Sequence, residues 1–423
     1  MVLRFVPMLM LALGAALPYG VAAQEAVETK PEAKPWQGKP YGFLNAEVEY
    51  ADAKGGATPY RGRGRVSDGN SRIGLQGSFD LRQNLKALWQ IEGGLAYFDQ
   101  GGVNDQGRTT TLVSRNTFVG MEHLRFGRLV IGSNESAYRS LVGSAGELGG
   151  NLGLTVTGLD VWTNTSAQLS GSADSVFSRG EDRYRNSAHY DSPDIRGFRG
   201  ALSYAFDETL AAGRSRDRYA LALRYARGPF KLGVGHEHRK NTGVNLESMR
   251  QGLGFHVGAE DGVATNFYKA LVGVALPTKT YLGAGYEYVT YGFSDFLPPS
   301  PDEFNGQLVV GKMKQHGAMA SIAQGILNRT TIMASAGKLW SLRGAPFGAW
   351  GDYAAWQASL GAKFAFNEHV TGYIYATEIH NGPTQNLNLG QSPIYSNQLG
   401  TANAYLAPGN HPRALGMGLL TRF

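Results

Sequence analysis

From residue 42 onward the chain alternates apolar and polar positions with a period of two. In Gly42 to Tyr50, Leu44, Ala46, Val48 and Tyr50 form one set, and Phe43, Asn45, Glu47 and Glu49 the other. Ile73, Leu75 and Phe79 alternate with Arg72, Gln76 and Ser78, and Leu85, Ala87, Trp89 and Ile91 with Lys86, Gln90 and Glu92. The same rhythm runs through Phe198 to Phe206, Arg218 to Tyr225 and Trp356 to Phe364. Successive side chains of a strand point to opposite faces, so a period of two predicts strands. The polar set carries full charges (Lys86, Glu92, Arg199, Arg218, Arg224, Lys363), and the apolar set ends in aromatics (Tyr50, Trp89, Tyr225, Phe364). A lipid-facing band with aromatic rims around a polar interior has that distribution, whereas a soluble sandwich needs no aromatic ends.

The pattern yields seventeen strand candidates, from 42–50 to 412–423. A barrel in lipid must close, and bacterial single-chain barrels close with even counts. One candidate is therefore surplus or one is missing, with 125–133 and 248–258 the least regular. The fold expected is an all-β transmembrane antiparallel β-barrel of 16 strands, with 18 as the alternative. Tight turns (82–84, 227–229, 367–368) alternate with long breaks at 51–69, 98–113, 134–184, 292–309, 341–352 and 380–411. Short turns on one rim and long loops on the other fit an outer-membrane barrel.

The ends of the chain refine this picture. Arg4, the apolar run Phe5 to Leu17 and the small residues Val21-Ala22-Ala23 read as a cleaved signal peptide, 1–23, too short for a spanning helix. Cleavage would leave 423 − 23 = 400 residues with 39 basic and 34 acidic side chains. Residues 24–40, rich in Glu, Lys and Pro, read as a flexible lead-in to a barrel domain spanning 41–423. There are no cysteines, which excludes disulfide scaffolds, Cys-ligated zinc and thiol catalysis. The modest, scattered charge gives no basic stripe of the kind nucleic-acid binding requires. The nearest run, Arg61, Arg63 and Arg65 in a Gly-rich stretch, reads as loop charge.

Other signals carry less. His236-Glu237-His238 places two imidazoles on one strand face, but further metal ligands are missing, so an exposed strand end is the simpler reading. No His-Glu-x-x-His, Gly-x-Ser-x-Gly or phosphate-loop motif occurs. Glu47 and Glu49 share a strand face and read as lumen charges rather than a glycosidase pair. Gly252/Gly254 and Gly283/Gly285 alternate within strands and read as relief of crowding in a curved sheet. No cofactor or metal is expected, and no enzymatic role.

Four pieces, in order, resemble the general diffusion porins of Gram-negative bacteria, which are trimeric sixteen-stranded barrels. They are Ser71-Arg72-Ile73-Gly74-Leu75-Gln76-Gly77, Arg115-Asn116-Thr117-Phe118-Val119-Gly120 with Phe126-Gly127-Arg128, Arg185-Asn186-Ser187 to Pro193, and the closing Gly416 to Phe423. The resemblance implies a water-filled outer-membrane channel for passive diffusion of small polar solutes and ions. It implies that 134–184 folds into the lumen as a constriction loop, with Glu147 in Gly146-Glu147-Leu148-Gly149-Gly150 at its acidic tip. Arg72, Arg115 and Arg185 fall on the motifs that supply the opposing arginines. Strand parity supports an inward Arg72, is ambiguous for Arg115 and leaves Arg185 open, at a strand start. Arginines remain charged at any working pH, and fixed charge around a narrow pore sets ion preference. Few loop acids against these arginines predict a weak anion preference. The resemblance further implies a homotrimer, contact with outer-membrane lipid and lipopolysaccharide, and recognition of the terminal strand ending in Phe423 by the barrel-assembly machinery. Three alternatives stay open: a substrate-specific porin for an anionic solute, an outer-membrane barrel enzyme such as a phospholipase, and a structural or adhesive barrel with a blocked lumen.

Overall fold

The computed structural model describes residues 37–57, 60–67, 71–95, 112–141, 167–168, 173–174, 177, 179–208, 214–251, 257–297, 307–326, 328–389 and 406–423. The signal segment and residues 24–36 of the lead-in lie outside them.

Eighteen strand segments join in one sheet. Tyr60–Ser67 and Arg72–Arg82 both align along Gln37–Gly55, and Leu112–Ser114 and Thr117–His123 both align along Leu85–Leu95. Each pair is one interrupted strand, which leaves 18 − 2 = 16 barrel strands. They are β1 (Gln37–Gly55), β2 (Tyr60–Ser67 and Arg72–Arg82), β3 (Leu85–Leu95), β4 (Leu112–Ser114 and Thr117–His123), β5 (Gly127–Glu135), β6 (Arg183–Asp191), β7 (Phe198–Ala205) and β8 (Arg218–Arg227). They continue as β9 (Phe230–Val244), β10 (Val257–Ala275), β11 (Thr280–Leu297), β12 (Gln307–Gly325), β13 (Thr330–Leu339), β14 (Ala355–Ala365), β15 (Val370–Asn381) and β16 (Asn410–Arg422). Each strand runs antiparallel to its sequence neighbours, and β1 pairs with β16 from Phe43↔Arg422 to Gly55↔Asn410, which closes the barrel. The Phe423 amide donates to the Gly42 carbonyl and the Gly42 amide to the Phe423 carbonyl, both at 3.2 Å. Closure satisfies the edge groups that hydrocarbon could not.

The alternation decides which face meets what. Leu44, Val48, Ile73, Leu75, Ile91, Leu221, Leu223, Leu360 and Met417 point outward and are exposed; Val119 and Leu415 are each 64% exposed. A water-soluble protein rarely exposes a continuous apolar surface of this extent. The intervening positions are buried and polar: Asn45, Glu47, Glu49, Glu92, Glu237, Glu287, Lys269 and Gln357. The barrel is therefore turned inside out relative to a soluble core, with hydrocarbon as its outer solvent.

Two aromatic rims bound the apolar band. Near the short turns, Phe198 meets Tyr225 at 4.6 Å and Phe364 meets Phe366 at 5.0 Å. Near the long loops the rim is built of tyrosine, tryptophan and histidine: Tyr219 on His238, His236 on Tyr268, Tyr288 on His316, Trp356 on His380, and His380 on His411 at 3.7 Å. His236 and His238 thus belong to a rim facing the bilayer interface, with Asn266 Oδ1 at 2.8 Å from His238 Nδ1, while Glu237 points the other way and is fully buried.

Three expectations change. The candidate 248–258 is not a separate strand among the described residues: its start belongs to the helical turn Leu246–Arg250, and Val257 and Gly258 already belong to β10, which starts well before the expected 267. Removing that candidate reconciles seventeen with sixteen. Within the breaks expected at 51–69 and 292–309, residues 51–55, 60–67, 292–297 and 307–309 are strand, because β1, β2, β11 and β12 run on past the outer rim. Above the hydrocarbon both faces meet water, so the ladder persists while apolar alternation fades. Finally, β1 begins at Gln37, whose stretch to Pro40 pairs with Ser78 to Leu75, so the end of the lead-in is sheet.

Candidate functional site: an infolded loop in a charged lumen

The described ends of the connection between β5 and β6, residues 136–182, lie against the inner wall of the barrel. The two ends meet where the Ser136 amide donates to the Asp182 carbonyl at 3.0 Å. Ser136 caps the short helix α1 (Ala137–Ser140) by accepting from the Arg139 amide at 3.1 Å, and its hydroxyl donates to Glu237 on β9 at 3.0 Å. The Ala137 amide donates to Ser203 Oγ on β7 at 2.8 Å, and Ser203 also meets His189 Nδ1 at 2.8 Å. Tyr138 and Leu141 are fully buried and lie over Gly235 of β9, where a Cβ would come within 2.6 Å of Leu141.

The return limb is anchored further round the wall. Arg179 reaches Glu287 on β11 at 3.3 Å and Gln315 on β12 at 3.2 Å. The Gly180 carbonyl accepts from Arg239 at 3.0 Å. Lys269 on β10 is buried between Glu181 of the loop and Glu287, the latter at 2.9 Å. Asp182 binds Arg218 at 2.6 Å and lies 4.0 Å from Arg239. Burial would raise its carboxyl, but those two guanidiniums outweigh it and hold Asp182 below the usual aspartate range. The described ends of the loop thus cross the inner faces of β7 to β12. Among the described residues the buried charges of these loop ends have opposite partners, which fixes the ends to the wall.

On the other side of α1 the sequence-predicted arginines assemble. Arg72 of β2 faces inward, 5% exposed, with its guanidinium over Phe43 at 4.6 Å. Arg115 binds Glu92 of β3 at 2.7 Å, and Glu92 also accepts from Tyr41 at 2.9 Å. Arg183 binds Asn116 at 2.6 Å and lies 3.5 Å from Glu135, which Arg139 meets at 3.3 Å. Four arginines surround two glutamates, a local balance of 4 − 2 = +2. A polar recess of about 160 Å³, lined by Tyr41, Gln90, Glu92, Asn116, Glu135 and Ser140 among others, lies beside them.

Arg72 and Arg115 therefore come together, and Arg185 does not join them. Arg185 is exposed in a bulge of β6 between Tyr184 and Ser187, where Asn186 takes φ +48°. The bulge breaks the count of two, and Arg183 stands at the site instead. The sign was in the sequence: Asn tolerates the left-handed conformation that such a bulge needs. Arg139, Glu92, Glu135 and the Lys269–Glu287 anchor were also outside the expected site set. Glu147 and residues 142–166 lie outside the described residues.

The model of the Gram-negative porin family matches residues 11–382. Major outer membrane protein P.IB of Neisseria gonorrhoeae is 29% identical over 196 residues, 45% of this chain and 48% of that protein. The chain spans about half the length of the curated relatives it matches. An anion-selective porin from Comamonas acidovorans superposes with a TM-score of 0.63 at 18% identity, covering 92% of this chain and 100% of that one. The trimer form of OmpT from Vibrio cholerae gives 0.59 at 12% identity, over 92% and 99% of the two chains. With a family match over most of its length and a closed sixteen-stranded barrel around a charged lumen, this chain belongs to the Gram-negative porin family of the outer membrane.

Proposed function

We propose that the chain forms a water-filled channel through which small hydrophilic solutes and ions diffuse passively, with a weak preference for anions. The observation that carries this reading is the set of four arginines, Arg72, Arg115, Arg139 and Arg183, which among the described residues gathers about Glu92 and Glu135 beside the anchored ends of the loop. Guanidiniums stay protonated across the working range, so the excess charge is permanent. An entering anion meets a favourable potential and a cation an unfavourable one. Glu147 is assigned to the loop's acidic rim, and Arg185 to the periphery of the constriction. No chemistry is performed: selection comes from width and fixed charge. Among the described residues the buried Ser/His grouping, Ser187 and Ser203 about His189, faces inward rather than the lipid and supports a structural role over a lipase-like one.

The protein assembles as a homotrimer in this reading, as the trimer form of OmpT does. Its outer aromatic rim faces lipopolysaccharide, with Lys312 and Lys314 exposed on the same side of β12, and Phe423 presents the closing strand to the assembly machinery. The test is the zero-current potential of purified protein in planar bilayers under a potassium chloride gradient. An anion-directed potential supports the proposal, and a cation-directed one at neutral pH ends it.

A further inference from the structure

Two tyrosines reach across the seam where the last strand meets the first. Tyr373 and Tyr375 of β15 point inward and are buried, as are Glu47 and Glu49 of β1. β16 lies between them, and its residues at the same two levels are glycines. Gly418 stands opposite both Tyr373 and Glu47, and Gly416 opposite both Tyr375 and Glu49. The rings lie over these glycines: a Cβ at Gly416 would come within 2.6 Å of the Tyr375 ring, and one at Gly418 would fall on the Tyr373 hydroxyl. Tyr373 thus donates to Glu47 at 2.7 Å, and the Tyr375 hydroxyl meets Glu47 at 2.7 Å and Glu49 at 2.6 Å. Arg65 takes the other Glu49 oxygen at 2.6 Å. The arrangement recurs on the far side of β1, where Tyr41 crosses Gly74 of β2 to donate to Glu92 of β3 at 2.9 Å.

We infer that the Tyr373–Glu47 and Tyr375–Glu49 pairs are a latch that sets the register in which the barrel closes. No hairpin turn joins β1 to β16, so turn length cannot fix their alignment as it does within a hairpin. A slip of one residue would turn every side chain to the wrong face, but a slip of two keeps each face as it is. The outward faces do not resist such a slip: Leu44 and Val48, like Leu415, Met417 and Leu419, meet hydrocarbon wherever they stand. Nor does the inner face of β16, which offers only Ala414, Gly416 and Gly418 along this stretch. Discrimination falls to the tyrosines. Sliding β1 by two residues one way sets Tyr373 beside Asn45 and Tyr375 beside Glu47, so Glu49 loses its phenol. Sliding it the other way sets Tyr375 beside Ala51, so one oxygen of Glu47 loses its donor. Either slip leaves a buried carboxylate oxygen unanswered, which costs more than the bond itself was worth. Asp52 also meets Arg413 in register at 2.8 Å, but that guanidinium is open to water at the outer rim, and an exposed pair discriminates little.

The experiment uses the full chain, which has no cysteine of its own, assembled in outer membranes. Val48 and Met417 oppose each other in register on the outward face. Directly opposed residues stand about 4.5–5.5 Å apart, within reach of a disulfide, and diagonal neighbours about 7–8 Å, beyond it. Val48→Cys/Met417→Cys therefore reports the native register, and Val48→Cys/Leu415→Cys and Val48→Cys/Leu419→Cys report the two slips. With the tyrosines intact, oxidation is expected to join only the first pair. In the Tyr373→Phe/Tyr375→Phe background the rings keep their seats and the hydroxyls go. The slipped crosslinks should then rise roughly tenfold, since a hydrogen bond to a charged group shifts an equilibrium by about that factor. Glu47→Gln, whose amide oxygen still accepts, should keep the native crosslink predominant. Tyr41→Phe, which loosens β1 from β3 alone, should leave all three pairs unchanged. If the double variant yields no barrel that shifts on heating in gels, Tyr375→Phe alone is read in the same way. A phenylalanine variant that melts earlier in detergent yet crosslinks only Val48→Cys with Met417→Cys overturns the latch and leaves the tyrosines as ordinary packing. Slipped crosslinks from Tyr41→Phe as well overturn it, by showing that any loosening of β1 suffices.

Discussion

Phe177 of the infolded loop lies against Gly285 on β11, in the space a side chain at that position would occupy. A Cβ built there would stand 2.3 Å from the Phe177 ring and 2.8 Å from Leu271. The glycine is therefore a seat for the loop, in addition to any relief of sheet curvature. Gly285→Val should push Phe177 off the wall at a cost of about 1–3 kcal/mol, the usual range for overpacking. The strand itself should persist, since its ladder is unchanged. The expected outcome is a barrel that still resists heating in detergent but shows altered single-channel conductance with more open-channel noise. Gly258→Ala, where a Cβ meets nothing within 4 Å, serves as the silent control.

The Lys269 anchor makes a second prediction. Its ammonium is fully buried between Glu181 and Glu287, 4.9 Å from the Tyr138 ring and 5.1 Å from Phe177. Replacing it with methionine leaves two carboxylates facing each other, with Arg179 still bound to Glu287. Breaking one partner of a buried pair costs about 3–5 kcal/mol. Lys269→Met should therefore free the return limb of the loop, seen as new protease cleavage within 142–178. Adding Glu287→Gln should restore much of the protection. A lysine variant as resistant as wild type would show that the apolar contacts hold the loop without the charges.

Constriction charge can be tested by sign. Arg115→Gln changes the local balance from 4 − 2 to 3 − 2, and Glu92→Gln changes it to 4 − 1. Under one salt gradient the first should move the zero-current potential toward cation preference and the second toward stronger anion preference. Arg185→Gln, in the exposed bulge, should move it little. Shifts in the same direction from the first two variants would mean that neither charge is felt by the permeating ion.

How far the sequence carries is visible in single residues. Arg72 is readable as inward because Ile73, Leu75 and Phe79, which follow it, fix the outward face, and its side chain is buried. Barrel closure and the even strand count follow from the chemistry of hydrocarbon alone. The segment 248–258 misleads because a short apolar run has no face until its neighbours are known. Arg61 to Arg65 mislead for the converse reason: outside the bilayer a strand needs no apolar side, so its alternation of arginine and glycine looks like a loop. Arg185 lies inside the bulge between Tyr184 and Ser187, outside the alternation, while Arg183 before it reaches Glu135 and Asn116, and composition does not reveal the difference. The loop's anchors were unreadable because they join residues far apart in sequence, such as Arg179 with Glu287 and Gln315.

The loop's outer end carries a pH dependence whose direction is fixed by Asp182. Burial works against its charge, but Arg239 and Arg218 more than compensate, so its folded pKa lies below the unfolded value of about 3.9. A depressed carboxylate pKa stabilises the fold fully above the unfolded value, and that contribution is lost only as pH falls through the folded one. The side chain is partly open to water, so the contribution is of the order of 1 kcal/mol at most. Comparing wild type with Asp182→Asn, the difference in loop protease resistance should be constant from neutral pH down to about 4 and should close only in more acidic buffer. If the two proteins already behave alike at about pH 5, the carboxylate titrates above its ordinary value, burial outweighs the two arginines, and the Asp182 latch is not an ion pair when the channel is at work.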